Sequence, residues 1–426
     1  MGLSLSKKLP RGTAALAAVR FFHYLGVQAS YFIGIIGVLT YELGATTAVI
    51  ALAVGLFNLF IIIGNAAGGS LLDRRGPAVH TVVALGATAA SCAAYQLVGA
   101  QVSTVLGMSA GFGFATGLGF TFLSSYPAYL TSDTDELKRV NALLSVVSNV
   151  AVVAGPAIGG LIAAVLPAQR VFVFSGVLAV LAVAPTVLLL RRVGCEPAAE
   201  RHGAAARSAG EREATGDAGT FADSVRAVFS IPSLALLFLV GVLAYAGYGA
   251  FDPLESLYYR DVLRVDISWM GWLSSAAGVG SVAGAVLAMR VPRRWVNVRT
   301  LMLLIAAEGA ACMLYVGTPF VGCGIAGQVL LGAAFGMVTP LQNTLVQMHA
   351  PLRLLGRVNS VMNAGFNGAG VIPLFAAPVL ASMFGVQGVL VGASCVVLGV
   401  PLAVLIARRA QIERLIFDES AHESVS

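Results

Sequence analysis

The 426-residue sequence predicts an all-α membrane protein, with twelve transmembrane helices in two pseudo-symmetric six-helix halves. Three observations predict it. The chain is 58% hydrophobic and 11% charged, with a mean hydropathy of +0.87, where a soluble domain carries about 25% charged residues. Its apolar stretches recur at the length that crosses a bilayer, about 20 residues. Short patterns also repeat half a chain apart. Gly64, Gly68, Leu71 and Arg74 are matched 216 residues on by Gly280, Gly284, Leu287 and Arg290, and Arg139-Val140-Asn141 with Asn149 recurs 218 residues on as Arg357-Val358-Asn359 with Asn367. Two echoes at nearly one spacing argue for two related halves.

Spans are predicted near 13–39, 46–68, 78–98, 102–126, 141–166, 170–190, 232–256, 268–289, 299–316, 320–344, 358–383 and 386–407. They are read as helices because lipid offers backbone groups no partners, and β-barrel alternation is absent. Lys and Arg set the orientation. With the N-terminus inside, 22 of the 26 basic residues fall in cytoplasmic segments; only Arg170, Arg260 and Arg264 fall outside, and Arg20 lies within the first span. The halves are then 1–190 and 231–409, joined by a cytoplasmic linker, 191–230, and followed by a polar cytoplasmic tail, 410–426. Residues 191–218 are rich in Ala, Glu, Arg and Gly and read as flexible. Thr220 and Asp223 fit a capping box, and Phe221, Val225 and Phe229 share one face of a short interfacial helix. The first apolar run is too long for a cleavable signal peptide, and no cleavage site flanks it.

Composition narrows the function classes. The net charge of +6 is spread over many short loops without interleaved aromatics, so it reflects topology and not nucleic-acid binding. The five cysteines are scattered, with no CxxC or His/Cys cluster, so neither a metal site nor a disulfide framework is expected. Gly111-Phe112-Gly113 lies inside an apolar span with no strand before it and is no nucleotide fingerprint. No Walker lysine motif is present, and no catalytic constellation or cofactor site stands out. Arginine outnumbers lysine 23 to 3 amid abundant Ala, Gly and Val, a hint of a bacterial source.

Gly69-Ser70-Leu71-Leu72-Asp73-Arg74-Arg75-Gly76 lies between spans two and three and reads as a tight glycine-rich loop. With twelve spans, two halves and a central linker, this Gly-x-Leu-x-Asp-Arg-x-Gly pattern resembles the major facilitator superfamily over almost the whole chain. Gly155-Pro156-Ala157-Ile158-Gly159-Gly160 in span five partly resembles that family's antiporter signature, found in drug and metabolite exporters; upstream, Ala151 stands where the signature prefers glycine. The resemblance implies two halves that rock around a central cavity lined by spans one, four, seven and ten. It implies that Asp73, with Gly69, Arg74 and Gly76, gates by capping a helix end and pairing with a basic group. Many drug exporters carry an arginine inside span four. Val102 to Tyr126 contains none, so any such coupling role lies elsewhere.

Several polar residues within spans are candidates for substrate or proton binding. In span seven, Tyr245, Tyr248, Asp252, Glu255 and Tyr259 are spaced to share one helical face. Acids in a membrane face a cavity or partner, so this stripe would bind a cation or exchange protons; otherwise Asp252 and Glu255 simply stand in water at the extracellular mouth. In span one, Arg20, Tyr24, Gln28 and Tyr31 form a stripe with His23 beside it. Arg20 either snorkels to the cytoplasmic boundary or binds an anion; His23 either relays protons or packs. Glu308, mid-span nine among Ala and Leu, suits a proton carrier or a structural hydrogen bond. Asn141, Ser145 and Asn149, echoed by Asn359, Asn363 and Asn367, are expected to tie helices together or gate. Gly64/Gly68, Gly107/Gly111 and Gly280/Gly284 are expected helix-packing pairs.

The resemblance implies a multi-pass plasma-membrane transporter, not an enzyme: a proton-coupled antiporter that needs no cofactor and exports a small amphipathic organic compound as a monomer. Two alternatives stay open, a proton-coupled importer of a sugar, organic acid or other nutrient, and a ligand sensor of the same fold. The orientation is directly testable. Thiol labelling from outside intact cells should modify Arg264→Cys and spare Gly210→Cys; labelling of Gly210→Cys would invert the topology.

Overall fold

The computed structural model describes residues 9–124, 126–131, 134–193, 221–292, 295–349 and 355–413. These are almost wholly helical, with no strand among them. Ten helical runs are long and apolar enough to cross a membrane. Two of them, Thr47–Val98 and Ala364–Ala407, hold 52 and 44 residues, about twice what a bilayer needs. Each holds one glycine with a non-helical backbone, Gly76 (φ 78°, ψ 175°) and Gly385 (φ 73°, ψ 159°). Counting each as two crossings accommodates the twelve predicted spans.

The contacts group into two compact units. One comprises Met1–Gly216 with Asp266–Trp272, the other Asp217–Val265 with Leu273–Ser426. Within the first, a core around Leu16, Val19, Leu72, Leu118, Val140 and Leu144 ties spans one to five together. Within the second, Leu237, Val240, Leu301, Ile305, Leu345 and Met362 do the same for spans seven, nine, ten and eleven. Polar linker residues 194–220 and tail residues 414–426 lie outside the described residues, as does Thr220 of the expected capping box. The helix Phe221–Ser230 forms as expected. Its buried face is different: Val228 is fully buried, while Phe229 is 48% exposed and meets Phe238 edge-on.

The glycine-rich segment after span two is not a loop. Helix continues through Gly69, Asp73 and Arg75, and the chain turns only at Gly76, with Pro77 opening span three. Proline is suited to that first-turn position, where its missing N–H costs nothing. Gly76 takes a backbone conformation that is essentially glycine-only. Asp73 is exposed, three residues before the turn.

Of the expected packing pairs, Gly64, Gly280 and Gly284 do meet neighbouring backbones, at Phe114, Val329 and Ala333. Gly107 faces open space; the close approach from span four is made by Gly113 and Gly117, against Phe57 and Ile61. Spacing alone could not say which glycine pair of span four faces its neighbour.

Gly76→Ala should lower the thermal unfolding midpoint of the purified protein by the equivalent of about 1–3 kcal/mol. Gly69→Ala, helical and with nothing within 4 Å of the added methyl, should leave the midpoint unchanged or raise it. Equal midpoints for the two variants would show that the turn does not need glycine.

Candidate functional site

Span one runs as α-helix over Thr13–Ala29 and as π-helix over Ser30–Glu42. Its polar stripe is divided among three neighbours. Arg20 is 2% exposed and does not snorkel. Its Nε donates to Ser148 Oγ of span five at 3.0 Å, and its guanidinium lies 4.2 Å from the Tyr24 ring centroid and 5.6 Å from that of Phe120 in span four. His23 is buried against Gly119 so closely that no side chain fits there. Tyr31 stacks on Phe57 of span two, centroids 4.4 Å apart. Gln28 packs at Gly155 of span five. The antiporter-like run thus serves as a packing surface for span one: Gly155 meets Leu25, Gln28 and Ala29, and Gly159 meets Ala29 and Ile33. Gly160 meets Ser268 and Gly271, and Gly271 in turn abuts the Pro156 carbonyl, all within the first unit. Asn141, Ser145 and Asn149 are exposed, and Ser145 Oγ returns to the Asn141 carbonyl at 2.9 Å. The side chains of Asn359, Asn363 and Asn367 lie outside the described residues.

The stripe of span seven is interrupted, but Tyr248, Glu255 and Tyr259 all reach span nine, at Glu308 and Tyr315. The helix Pro232–Tyr248 ends at Gly249, a second helix covers Phe251–Leu257, and π-helix covers Tyr258–Leu263. Pro253 has no N–H for the Gly249 carbonyl four residues back, and Gly249 is pressed against Gly370 of span eleven. The backbone at Gly249 and Ala250 nonetheless stays in the right-handed helical region, so helical spacing carries across the interruption. Tyr245 stacks on Phe366, centroids 5.2 Å apart and planes 10° apart. Tyr248 donates to Glu308 Oε2 at 3.1 Å. Asp252 is exposed.

Two carboxyls of the second unit therefore differ sharply. Glu255 Oε1 accepts from Tyr259 at 2.8 Å, from Tyr315 at 2.7 Å and from Gln328 Nε2 at 3.0 Å, with the two phenolic oxygens 2.5 Å apart. Three donors on one oxygen suit a carboxylate, which accepts only. Glu308 is 2% exposed, its Oε2 has the Tyr248 hydroxyl, and its Oε1 has no hydrogen-bond partner. Tyr315 and Gln328 are site residues that sequence reasoning missed; a Gln amid the apolar first half of span ten was the available signal for Gln328.

A second missed cluster sits at the Gly76–Pro77 turn. His80 Nε2 donates to the Leu118 carbonyl at 3.1 Å, and its Nδ1 lies 2.9 Å from the Tyr126 hydroxyl. Tyr126 and Thr81 hydroxyls are 2.7 Å apart and both reach the Pro77 carbonyl, at 3.0 and 2.7 Å. A histidine and threonine three and four residues after a helix-opening proline were the signal.

A cavity of about 530 Å³ in the second unit, lined by Gly247, Ala250, Pro373, Leu380, Phe384 and Gly392 among others, is apolar and includes none of these groups. Among the described residues, no cluster of His, Cys, Asp and Glu is placed to hold a metal ion.

Breaks within membrane helices, with buried ionisable groups beside them, define a polytopic transporter. The chain belongs to the Major Facilitator Superfamily, whose family model matches residues 16–373 and 237–425. It is similar to the multidrug efflux pump Tap of Mycolicibacterium fortuitum, 27% identical over 287 residues, 65% of each chain. It is likewise similar to Tap of Mycobacterium tuberculosis, 27% identical over 257 residues, 59% of this chain and 57% of that one. These matches span less than two thirds of the relatives' own length. Solved structures share the fold. A POT family transporter in complex with 5-aminolevulinic acid superposes with a TM-score of 0.70 at 15% identity, over 93% of this chain and 96% of that one. The nucleoside transporter NupG does so with a TM-score of 0.65 at 12% identity, over 92% and 99%.

Tyr126→Phe removes the hydroxyl shared by His80, Thr81 and the Pro77 carbonyl and should destabilise by about 1–3 kcal/mol. Tyr95→Phe removes a buried hydroxyl that has no hydrogen-bond partner and should cost nothing. Thermal unfolding of the two variants checks this; equal losses would mean that the cluster is not a structural clamp.

Proposed function

We propose that the protein is a proton-coupled antiporter that exports a small amphipathic organic compound, and that Glu308 carries the coupling proton. The observation that carries this reading is the environment of Glu308. It is a buried carboxyl in a membrane span, met by one tyrosine hydroxyl and by no cation among the described residues. A carboxylate left so is expensive in hydrocarbon, and the neutral acid is not. Gaining and losing a proton here has a mechanical consequence. Ionised, Glu308 accepts from Tyr248; protonated, it can donate to the Tyr248 oxygen and no longer needs that acceptor geometry. Tyr248 is the last residue of its helix before the break at Gly249. The proton thus acts on the hinge of span seven. Glu255, already met by three donors, is the fixed negative charge of the unit and the better cation partner.

Export is supported by the relatives at 27% identity, which are named efflux pumps. In this reading the chain works as a monomer in a bacterial cell membrane, both termini cytoplasmic, with Asp73 and the Gly76 turn as its gate.

The test uses proteoliposomes, an imposed proton gradient and ethidium as probe. Wild type should accumulate the dye against its gradient while protons move the other way. Glu308→Gln should abolish that accumulation yet keep dye exchange at equal pH. Full proton-driven accumulation by a folded Glu308→Gln protein would move the proton elsewhere, with Asp252→Asn/Glu255→Gln as the next pair. Dye and protons moving together would favour the importer.

A further inference from the structure

We propose that Arg20 is an anion-binding subsite, which takes a carboxylate or phosphate group of the transported compound. The guanidinium lies seven residues into a 30-residue span, about 10 Å along the helix, and is 2% exposed. Its surroundings hold it in one orientation. The Tyr24 ring covers one face at 4.2 Å, the Phe120 ring lies 5.6 Å away, and Ser148 Oγ takes the Nε proton at 3.0 Å. Aromatic contact fixes the plane of the group, and the serine fixes its rotation within that plane.

What remains is the Nη edge. Nη1 is buried and has no hydrogen-bond partner, and no carboxylate of the described residues pairs with Arg20. His23, one turn along, is the other basic side chain of the helix Thr13–Ala29, and it faces Gly119. A buried arginine donor without an acceptor is rare, and an ionisable group within a membrane span marks a substrate or ion path. The chemistry that completes it is set by the geometry. A guanidinium presents parallel N–H donors that match the two oxygens of a carboxylate or phosphate. Because plane and rotation are already held, little ordering remains to be done on binding.

The assignment rests on the reading of the chain as an exporter only for the ligand's role as cargo; the subsite itself is tested without a gradient. The probe is 1-naphthoate, with 1-naphthylmethylammonium as its cationic counterpart, titrated into full-length protein in nanodiscs. Wild type should bind naphthoate, and Arg20→Gln should weaken that binding by about 10- to 100-fold while leaving the ammonium compound within about twofold. Arg20→Lys, which keeps the charge and loses the fork, should fall between. Ser148→Ala should weaken naphthoate binding a few-fold, and it serves with Arg20→Lys if Arg20→Gln does not fold. Nanodiscs of phosphatidylcholine and of phosphatidylglycerol should give the same naphthoate affinity. Absent naphthoate binding in wild type, equal binding across the variants, or parallel loss of both probes would overturn the subsite. Naphthoate binding abolished by phosphatidylglycerol would assign the guanidinium to a lipid headgroup and overturn its role toward cargo. Failure of Glu308→Gln to uncouple protons would leave this outcome untouched, and the converse holds.

Discussion

Hydrocarbon offers no hydrogen bonds, so a backbone group released by a helix break must be met by another part of the chain. That constraint decides where many of the polar side chains of this transporter stand. Where span one passes from α- to π-helix, the Gly26 carbonyl, already met by the Ser30 N–H, also accepts from Ser175, whose hydroxyl lies 2.6 Å from Ser30. Where span three begins, the Pro77 carbonyl is met by Thr81 and Tyr126. At the end of span nine the Tyr315 and Val316 carbonyls are met by Tyr258 and Gln387, at 3.0 and 2.9 Å. Thr81 donates within its own span, but Ser175, Tyr126, Tyr258 and Gln387 donate from other spans, so these contacts also join neighbouring helices.

The same logic separates polar groups that hold the fold from those that do not. His80, Thr81, Tyr126 and Ser175 have their bonding capacity taken up by backbone carbonyls and by neighbouring side chains. Arg20 Nη1 and Glu308 Oε1 do not. Each lies in a different unit, each is nearly inaccessible, and each is held by a single polar side chain together with aromatic or apolar surroundings. Glu255 is an intermediate case: it is as fully hydrogen-bonded as the structural groups, but by side chains only, all of which can rearrange when its charge is matched by something else.

Much of the fold was legible in sequence because hydropathy and helix length are nearly sufficient in lipid. The halves were visible in the repeated Gly and Arg-Val-Asn patterns, and Glu308 was visible as an acid amid Ala and Leu. In span seven, helical spacing carries Tyr248, Glu255 and Tyr259 toward one neighbour, but it could not show that Asp252 is exposed or that Tyr245 stacks on Phe366. In the glycine-rich segment, one glycine with positive φ was enough to turn the chain, and the rest stayed helical. Gln328 could have been singled out as a polar residue in an apolar span, but nothing local links it or Tyr315 to Glu255, 73 and 60 residues away.

Arg20 shows why burial could not be read from position. Seven residues from the span's start, its side chain is long enough to reach the boundary, and sequence leaves both outcomes open. Tertiary partners decide it. An arginine inside a span costs about 2.5–3.5 kcal/mol on insertion scales. One hydrogen bond to a charged group returns about 1.5–3 kcal/mol, and a desolvated cation–π contact about 2 kcal/mol. The Ser148 bond and the Tyr24 ring therefore roughly offset the cost of holding the charge there.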